Sequence, residues 1–439
     1  MRSKPGDESI VDVLIIGAGA AGLTAAIMCG ERFRKEGVTN ATIRVLDSRP
    51  KIGAKILVAG GGRCNVTNIA VDATRFHTTN TDRGPKSFVA RVLRSFSTEE
   101  THRFFDSIGV PLTLEPEMGK YFPVANSGRA VLEALLQAVK NAGAELITDC
   151  AVTNIEYSKD DKLWTVQTVR GTMTSRAVVL CTGGLALPKS GSNGAGLRFA
   201  EKLGHTIQGT TPALSPLISQ PAVHSQLSGI TIPARLALRD GEQLLAKYRG
   251  SFLFTHVGYS GPPALNISRH FIRERDKHPR AQITLRLLPD IEDEAVNRFW
   301  HDFMGKNAKK TLVNALSEVL PRRVAEAIVE YSKARDATVG KLSAEQSLRA
   351  KTALFDWPLP VVQVGDYVKA EATAGGVWLD EIESASMMSK LHAGLFFAGE
   401  ICDVDGWLGG YNFQWAWSSG AVAGRSAAKY ATRLCEKAS

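Results

Sequence analysis

An α/β fold is predicted from three observations. A short apolar strand near the start of the chain runs into a glycine-rich turn and a helix. A second apolar run then ends in an acid at the spacing such a unit requires. From about residue 205 to 370 this pattern stops, and short strands followed by helices replace it. The 439 residues are enough for two or three domains with a sizeable core.

The first element is the run Val11 to Ile16, VDVLII, nearly continuous in apolar residues, as in a strand buried on both faces of a parallel sheet. It leads directly into Gly17-Ala18-Gly19-Ala20-Ala21-Gly22 and then the helix-prone LTAAIMCGERFRKEG. In this Rossmann-like arrangement Gly17 permits the tight turn and Gly19 lets backbone approach a pyrophosphate. Gly22 lets helix pack close to strand, and the helix N-terminus turns its free N–H groups toward the phosphates. The run Thr42 to Leu46 ends in Asp47, roughly two dozen residues beyond Gly22, where an acid takes ribose hydroxyls. The fingerprint alone admits NAD or FAD.

The interrupting segment opens with strand-like runs at Ala234 to Leu238, Ser251 to Thr255 and Gln282 to Leu287. Helical patterns follow from about Asp293 to Ala353, with Pro321 at a helix start, and another strand-like run spans Pro360 to Lys369. Residues 205–290 and 358–370 therefore read as a β-barrel-like part, and 291–357 as a helical cap. His256 lies in FTHVGYSGPPAL, which reads as a turn into a helix. Either His256 or Ser260 contacts substrate there, or the segment is only a cap and tight turn.

Composition narrows the classes. With 44% hydrophobic and 22% charged residues, and no run near 18 consecutive apolar residues, a membrane span is not expected and a cytoplasmic enzyme is. Six cysteines lack CxxC spacing and nine histidines lack an HxxxH pair, so reduced thiols and no metal site are expected. The net charge of +9 suits an anionic ligand or nucleic acid but decides nothing alone. Residues 269 to 351 hold 17 basic against 12 acidic side chains, either a basic cap or an ordinary solvated helix surface.

Two later segments carry a family resemblance. Val178 to Gly184, VVLCTGG, is a strand ending in Thr182-Gly183-Gly184, and GLFFAGEICDVD holds a strand ending in Ala398-Gly399-Glu400. This pair resembles two-dinucleotide-binding-domain flavoproteins. Together with GAKILVAGGGRCNVTN, CTGGLALPKSGSNGAG, LFTHVGYSGPPALNIS and AGEICDVDGWLGGYNFQWAWSSGAVAG, the chain is similar to the bacterial YhiN/BaiN-like family of FAD-dependent oxidoreductases over nearly its whole length. It departs from the pattern at Cys181, where alanine is usual, and in a slightly long linker before Asp47.

The resemblance implies FAD, held by a Rossmann-like domain built from both chain ends (1–204 and 371–439), with 205–370 inserted. It also accounts for the three consecutive glycines, Gly60 to Gly62. After Asp47 the chain must follow the pyrophosphate, and glycines let main-chain N–H groups form an anion-binding concavity. Lys55 and Arg63 are expected to add positive charge, and Cys64 and Asn65 to emerge near the flavin, with Cys64 either catalytic or a small buried side chain. Gly409 to Asn412 are expected at the flavin pyrimidine edge, followed by a helix beginning near Phe413 whose positive dipole end favours anionic reduced flavin. Trp415 and Trp417, two apart on that helix, point to different faces, so one is core. The full set of expected cofactor contacts is Gly17, Gly19, Ala20, Ala21, Gly22, Asp47, Ser48, Lys55, Gly61, Gly62, Arg63, Cys64, Asn65, Val152, Thr182, Gly183, Gly399, Glu400, Gly410, Tyr411, Asn412 and Phe413, with Cys64 and His256 as catalytic candidates.

No second GxGxxG occurs in a strand–turn–helix context, and GSNGAG at 191 to 196 reads as a loop into a helix. An NAD(P)H donor therefore docks transiently. The expected activity is hydride transfer through FAD to an electron-poor C=C bond, in uridine of ribosomal RNA or in a conjugated enone as the family implies. An oxygen-dependent amine oxidase and an RNA-binding flavoprotein without turnover are the alternatives. The oligomeric state is left open.

Overall fold

The structure, a computed structural model, describes residues 10–79 and 83–438. The chain divides into two compact units, one comprising Met1–Thr210 with Ala372–Ser439 and the other Thr211–Glu371.

The first unit is built on a parallel sheet. Its strands and flanking helices are β1 (Val11–Ile16), α1 (Ala20–Lys35), β2 (Ile43–Leu46), α2 (Gly128–Asn141), β3 (Ala144–Ile147), β4 (Gly171–Leu180), β5 (Leu395–Phe397) and α3 (Tyr411–Ala438). The parallel strands lie in the order β3-β2-β1-β4-β5. Val13, Leu14 and Ile15 of β1 have no exposed surface, as expected of a strand covered on both faces. The first half of β4 pairs antiparallel with Leu163–Thr168, which in turn pairs with Val152–Ser158. The chain passes β1, β2 and β3 toward one edge, then returns to place β4 on the other side of β1. That reversal between β1 and β4 is the switch point at which open α/β sheets bind ligands, beyond the carboxyl ends of the strands.

Small residues let α1 and α3 approach each other closely. A Cβ on Gly424 would lie 2.2 Å from the Ala25 carbonyl oxygen, and one on Gly420 would lie 2.5 Å from that of Ala21. No side chain larger than hydrogen fits either position without the helices parting.

The second unit is an antiparallel seven-stranded sheet with helices. Thr231–Asp240 and Gln243–Thr255 form its longest hairpin, and Gln282–Arg286 flanks Thr231–Asp240. One short chain segment supplies both ends of the sheet. Trp357 pairs with Leu285, while Val361 and Val364 pair with Ser219 and Leu217, so the sheet curls round to meet itself. Of the strand expected over Pro360 to Lys369, only Val361–Val364 forms. Helices span Pro262–Glu274, Val296–Asn307, Leu312–Leu316, Arg322–Tyr331 and Ala344–Phe355, with Pro321 as N-cap of the fourth.

His256 does not begin a turn into a helix. His256 and Val257 are the two-residue turn of a hairpin in which Thr255 faces Gly258, and the helix starts only at Pro262. The Gly258–Ser260 stretch is a strand because it pairs with Leu253–Thr255 across this turn and with Leu217–Ile218 on its other side, a pairing that the glycine and serine content concealed.

Candidate cofactor site

The carboxyl ends of β1, β2, β4 and β5 carry the predicted turns. Gly17 has φ +104°, and a Cβ there would meet the Cys181 carbonyl oxygen at 2.4 Å, so this turn and the one after β4 touch through backbone alone. A Cβ on Gly22 would lie 1.8 Å from the Gly17 oxygen. Gly19, by contrast, faces open space, with nothing within 4 Å of its Cβ position. Gly19 is also the N-cap of α1; no side chain among the described residues caps it, and its first turn, including Ala20 and Ala21, holds no acid. The N–H groups of a 16-residue helix thus point outward beside a residue whose missing side chain leaves room.

Asp47 fixes this turn. Its Oδ2 accepts from Ala18 N at 2.8 Å and its Oδ1 from Arg49 N at 2.9 Å, with Ser48 exposed between them. The Asp47 carbonyl accepts from Cys150 N at 2.8 Å, which brings the start of Val152–Ser158, and so Val152, near the same strand end. After β4, Thr182 turns its Oγ1 to Gly196, where a Cβ would lie 1.9 Å away, and this buried oxygen has no partner among the described residues. Main chain of Thr182 and Gly183 is what this turn presents.

Gly60, Gly61 and Gly62 have φ of +58°, +71° and +90°, and Cys64 follows at +63°. Four left-handed residues in five make a tight reversal that only glycine adopts without strain. Cys64 does not emerge from it. The residue has no exposed surface, its Cβ lies 3.5 Å from the Gly128 Cβ position, and burial pushes the thiol pKa up to about 12. A neutral, enclosed thiol favours the packing alternative over the catalytic one.

Neither expected cation stands alone. The Arg63 guanidinium meets Glu115 at 3.2 Å and lies 3.9 Å over the Phe122 ring. The Lys55 ammonium pairs with Glu400 Oε2, while Glu400 Oε1 accepts from Thr373 N at 2.8 Å. Sequence reasoning placed both members of the second pair near the cofactor but did not pair them.

Asn65 ties the glycine turn to the far end of the chain. Its Oδ1 accepts from Gly410 N at 2.9 Å and its Nδ2 donates to the Thr67 carbonyl at 3.2 Å. Asn68, missed from sequence although it closes the same RCNVTN motif, donates to the Gly409 carbonyl at 2.9 Å. Thr67 Oγ1 donates to Gln414 Oε1 at 2.6 Å, and Gln414 donates onward to Thr101 Oγ1 and Ser418 Oγ. A glutamine among the aromatic residues that open the helix was the available signal. The helix α3 starts at Tyr411, two residues earlier than expected, because Asn412 folds its amide onto both N and O of Gly406. Phe413 stacks on Trp417 at 5.5 Å. Trp415 and Trp417 are both core, at 1% and 0% exposure, and their indole N–H groups donate to the Gly399 and Val66 carbonyls. The helix is buried on several faces, so facing differently did not expose either ring.

The family model described as HI0933-like protein Rossmann domain matches residues 11–426. The chain belongs to this family. HI0933-like proteins are FAD-dependent flavoprotein oxidoreductases, and this chain is one. Two relatives are similar along nearly their whole lengths. The 3-dehydro-bile acid delta(4,6)-reductase of Clostridium scindens is 30% identical over 416 residues, 94% of this chain and 98% of that protein. The ribosomal RNA dihydrouridine synthase of Escherichia coli K12 is 30% identical over 411 residues, 93% and 96% of the two chains. A solved quinol fumarate reductase of E. coli shares the fold, with a TM-score of 0.50 at 17% identity over 97% of this chain and 71% of that one.

The residues fit FAD. The uncapped α1 N-terminus and the open side of Gly19 suit a pyrophosphate, and Asp47, held at the end of β2, is an acceptor of the kind that suits a ribose. The HI0933-like chain has no helix among its described residues long and apolar enough to cross a membrane.

Proposed function

We propose that this flavoprotein reduces a carbon–carbon double bond conjugated to a carbonyl, taking electrons from a transiently docked NAD(P)H and acting on uridine in ribosomal RNA. The observation that carries the reaction class is the pair of relatives. Each is 30% identical over more than nine-tenths of this chain, and both names describe saturation of such a bond. The net charge of +9 supports a polyanionic substrate.

Bound FAD supplies the hydride carrier. The chain's part is to hold and orient it. The first-turn amides of α1 bind the pyrophosphate, Asp47 the adenosine ribose, and Asn65 with Asn68 fixes the Gly409–Gly410 backbone ahead of α3. The positive end of that 28-residue helix stabilises negative charge at its N-terminus. His256, exposed at its hairpin turn, is open to a substrate, and His256→Gln tests whether it serves the reductive step.

A second reading, reduction of a steroid-type enone, is favoured by the bile acid relative. Anaerobic mixing decides. Bleaching of the yellow absorbance by NADPH or NADH, its return on adding ribosomal RNA, and dihydrouridine in the recovered RNA are the expected results. Return with an enone but not with RNA selects the second reading. Bleaching by an amine alone, or no bleaching, sinks both.

Salt gives an independent check. RNA binding must weaken steeply with ionic strength, and enone turnover must not. Of the basic pairs Lys309–Lys310 and Arg322–Arg323, Lys310 meets Glu318, Arg322 meets Glu326 at 3.0 Å, and Arg323 donates to the Gln226 carbonyl. Reversing all four to glutamate should abolish RNA binding and leave bleaching by NAD(P)H intact.

A further inference from the structure

Lys55 and Glu400, 345 residues apart, pair with side chains that are 26% and 20% exposed. The pair poses a question of charge. Glu400 stands beside the turns built for an anion: its Oε2 is 3.8 Å from the Gly183 Cβ position, and a Cβ on neighbouring Gly399 would meet Ala21 Cβ, in the first turn of α1, at 2.9 Å. A bare carboxylate there repels a pyrophosphate through like charge.

The carboxylate is anchored on its other oxygen as well. Thr373 N holds Oε1 at 2.8 Å, and the Thr373 hydroxyl itself accepts from Leu185 N and Ala186 N at 2.8 and 3.0 Å. Thr373, itself tied to the Leu185–Ala186 segment, thus anchors Oε1, and Oε2 is left to the lysine. A fixed acceptor suits hydroxyl groups of a ligand; its full negative charge does not suit the phosphates next to them.

We propose that Lys55 is a positioning residue that acts on FAD through Glu400. Its ammonium neutralises and orients that carboxylate beside the pyrophosphate turn instead of gripping a phosphate. The value of Lys55 for FAD then disappears once Glu400 carries no charge. This rests on the cofactor, not on the substrate reading above, so the failure of either leaves the other standing.

The test compares wild type, Lys55→Met, Lys55→Arg, Glu400→Gln and the Lys55→Met/Glu400→Gln double variant. FAD release from the purified holoproteins is followed by fluorescence, rebinding by titration of the apoproteins, and apoprotein unfolding is recorded alongside. Lys55→Met should weaken FAD by about 10- to 100-fold, the worth of a charge-assisted contact. Lys55→Arg should retain most affinity. The double variant should bind within about twofold of Glu400→Gln, the usual scatter of additivity. If removing Lys55 costs as much in the Glu400→Gln background as in wild type, the lysine acts on the phosphates directly and the proposal falls. Normal FAD binding by Lys55→Met also overturns it. Should Lys55→Met alone fail to fold, the comparison of the double variant with Glu400→Gln still decides.

Discussion

The Ala18 N–H donates to Asp47 Oδ2 at 2.8 Å, joining the phosphate turn after β1 to the acid at the end of β2 across 29 residues. One carboxylate therefore holds the turn in shape as well as serving the ribose in the function proposed above. Loss of Asp47 should be felt twice, in cofactor affinity and in the order of the turn.

The purified protein is expected to be yellow and to release FAD, not FMN, on heating. Asp47→Ala should weaken FAD by about 1.5–3 kcal/mol, while Asp47→Asn, which keeps an acceptor for one of the two N–H groups, should lose less. Chromatography that finds only FMN, or unchanged affinity in Asp47→Ala, rules out the assignment.

Cys64 should behave as a core residue. In the native protein it is expected to resist thiol reagents at pH 8, and Cys64→Ser should cost about 1–3 kcal/mol of stability by burying a hydroxyl without slowing substrate reduction. Burial raises its folded pKa from 9.0 to about 12. The neutral thiol is thus favoured by folding, and its contribution is complete below about pH 9 and lost as pH rises toward 12. A Cys64→Ala protein should show a shallower alkaline fall in unfolding free energy; rapid labelling of native Cys64 contradicts the burial.

In the second unit, His224 Nδ1 meets the Tyr259 hydroxyl at 2.7 Å, with the imidazole edge-on to Trp357 at 4.6 Å. Burial lowers the His224 pKa from 6.5 to about 4. The neutral ring is favoured by folding, so its stabilisation is present above pH 6.5 and fades as pH falls through about 4. Tyr259→Phe should leave a buried ring nitrogen unpaired and cost about 1–3 kcal/mol. Urea titrations at pH 7.5 and 5 measure both effects, and a stability independent of pH over that range refutes the first.

Gly424→Ala tests the close crossing of α1 and α3. A Cβ 2.2 Å from the Ala25 carbonyl must push the helices apart, at about 1–3 kcal/mol. The thermal midpoint should fall and FAD should dissociate faster, because α1 carries the N-terminus proposed to bind the pyrophosphate. An unaltered midpoint means that the helices pack less tightly than described.

Several site features were legible in sequence because their causes are local. A glycine that must take φ of +104° and a helix N-terminus that must face an anion are properties of a few consecutive residues, so Gly17 to Gly22 could be placed without neighbours. GSNGAG was likewise readable as a loop, and it leads through a short turn into Ala195–Lys202. The hairpin at His256 and the burial of both Trp415 and Trp417 were not readable. The glycine and serine content hid the first, and the second depends on which elements from elsewhere cover each helix face.

From the sequence alone came the α/β class, the dinucleotide turn with Asp47, and the interruption between two halves of one cofactor domain. Periodicity and turn chemistry encode these within short windows. Tertiary structure alone decided what the polar side chains do. Lys55 met Glu400, Arg63 met Glu115, Asn65 met Gly410, and Cys64 vanished into the core. The charge, burial and hydrogen bonding of a side chain depend on neighbours from distant parts of the chain, and it is the strand order β3-β2-β1-β4-β5 that brings those neighbours to one end of the sheet.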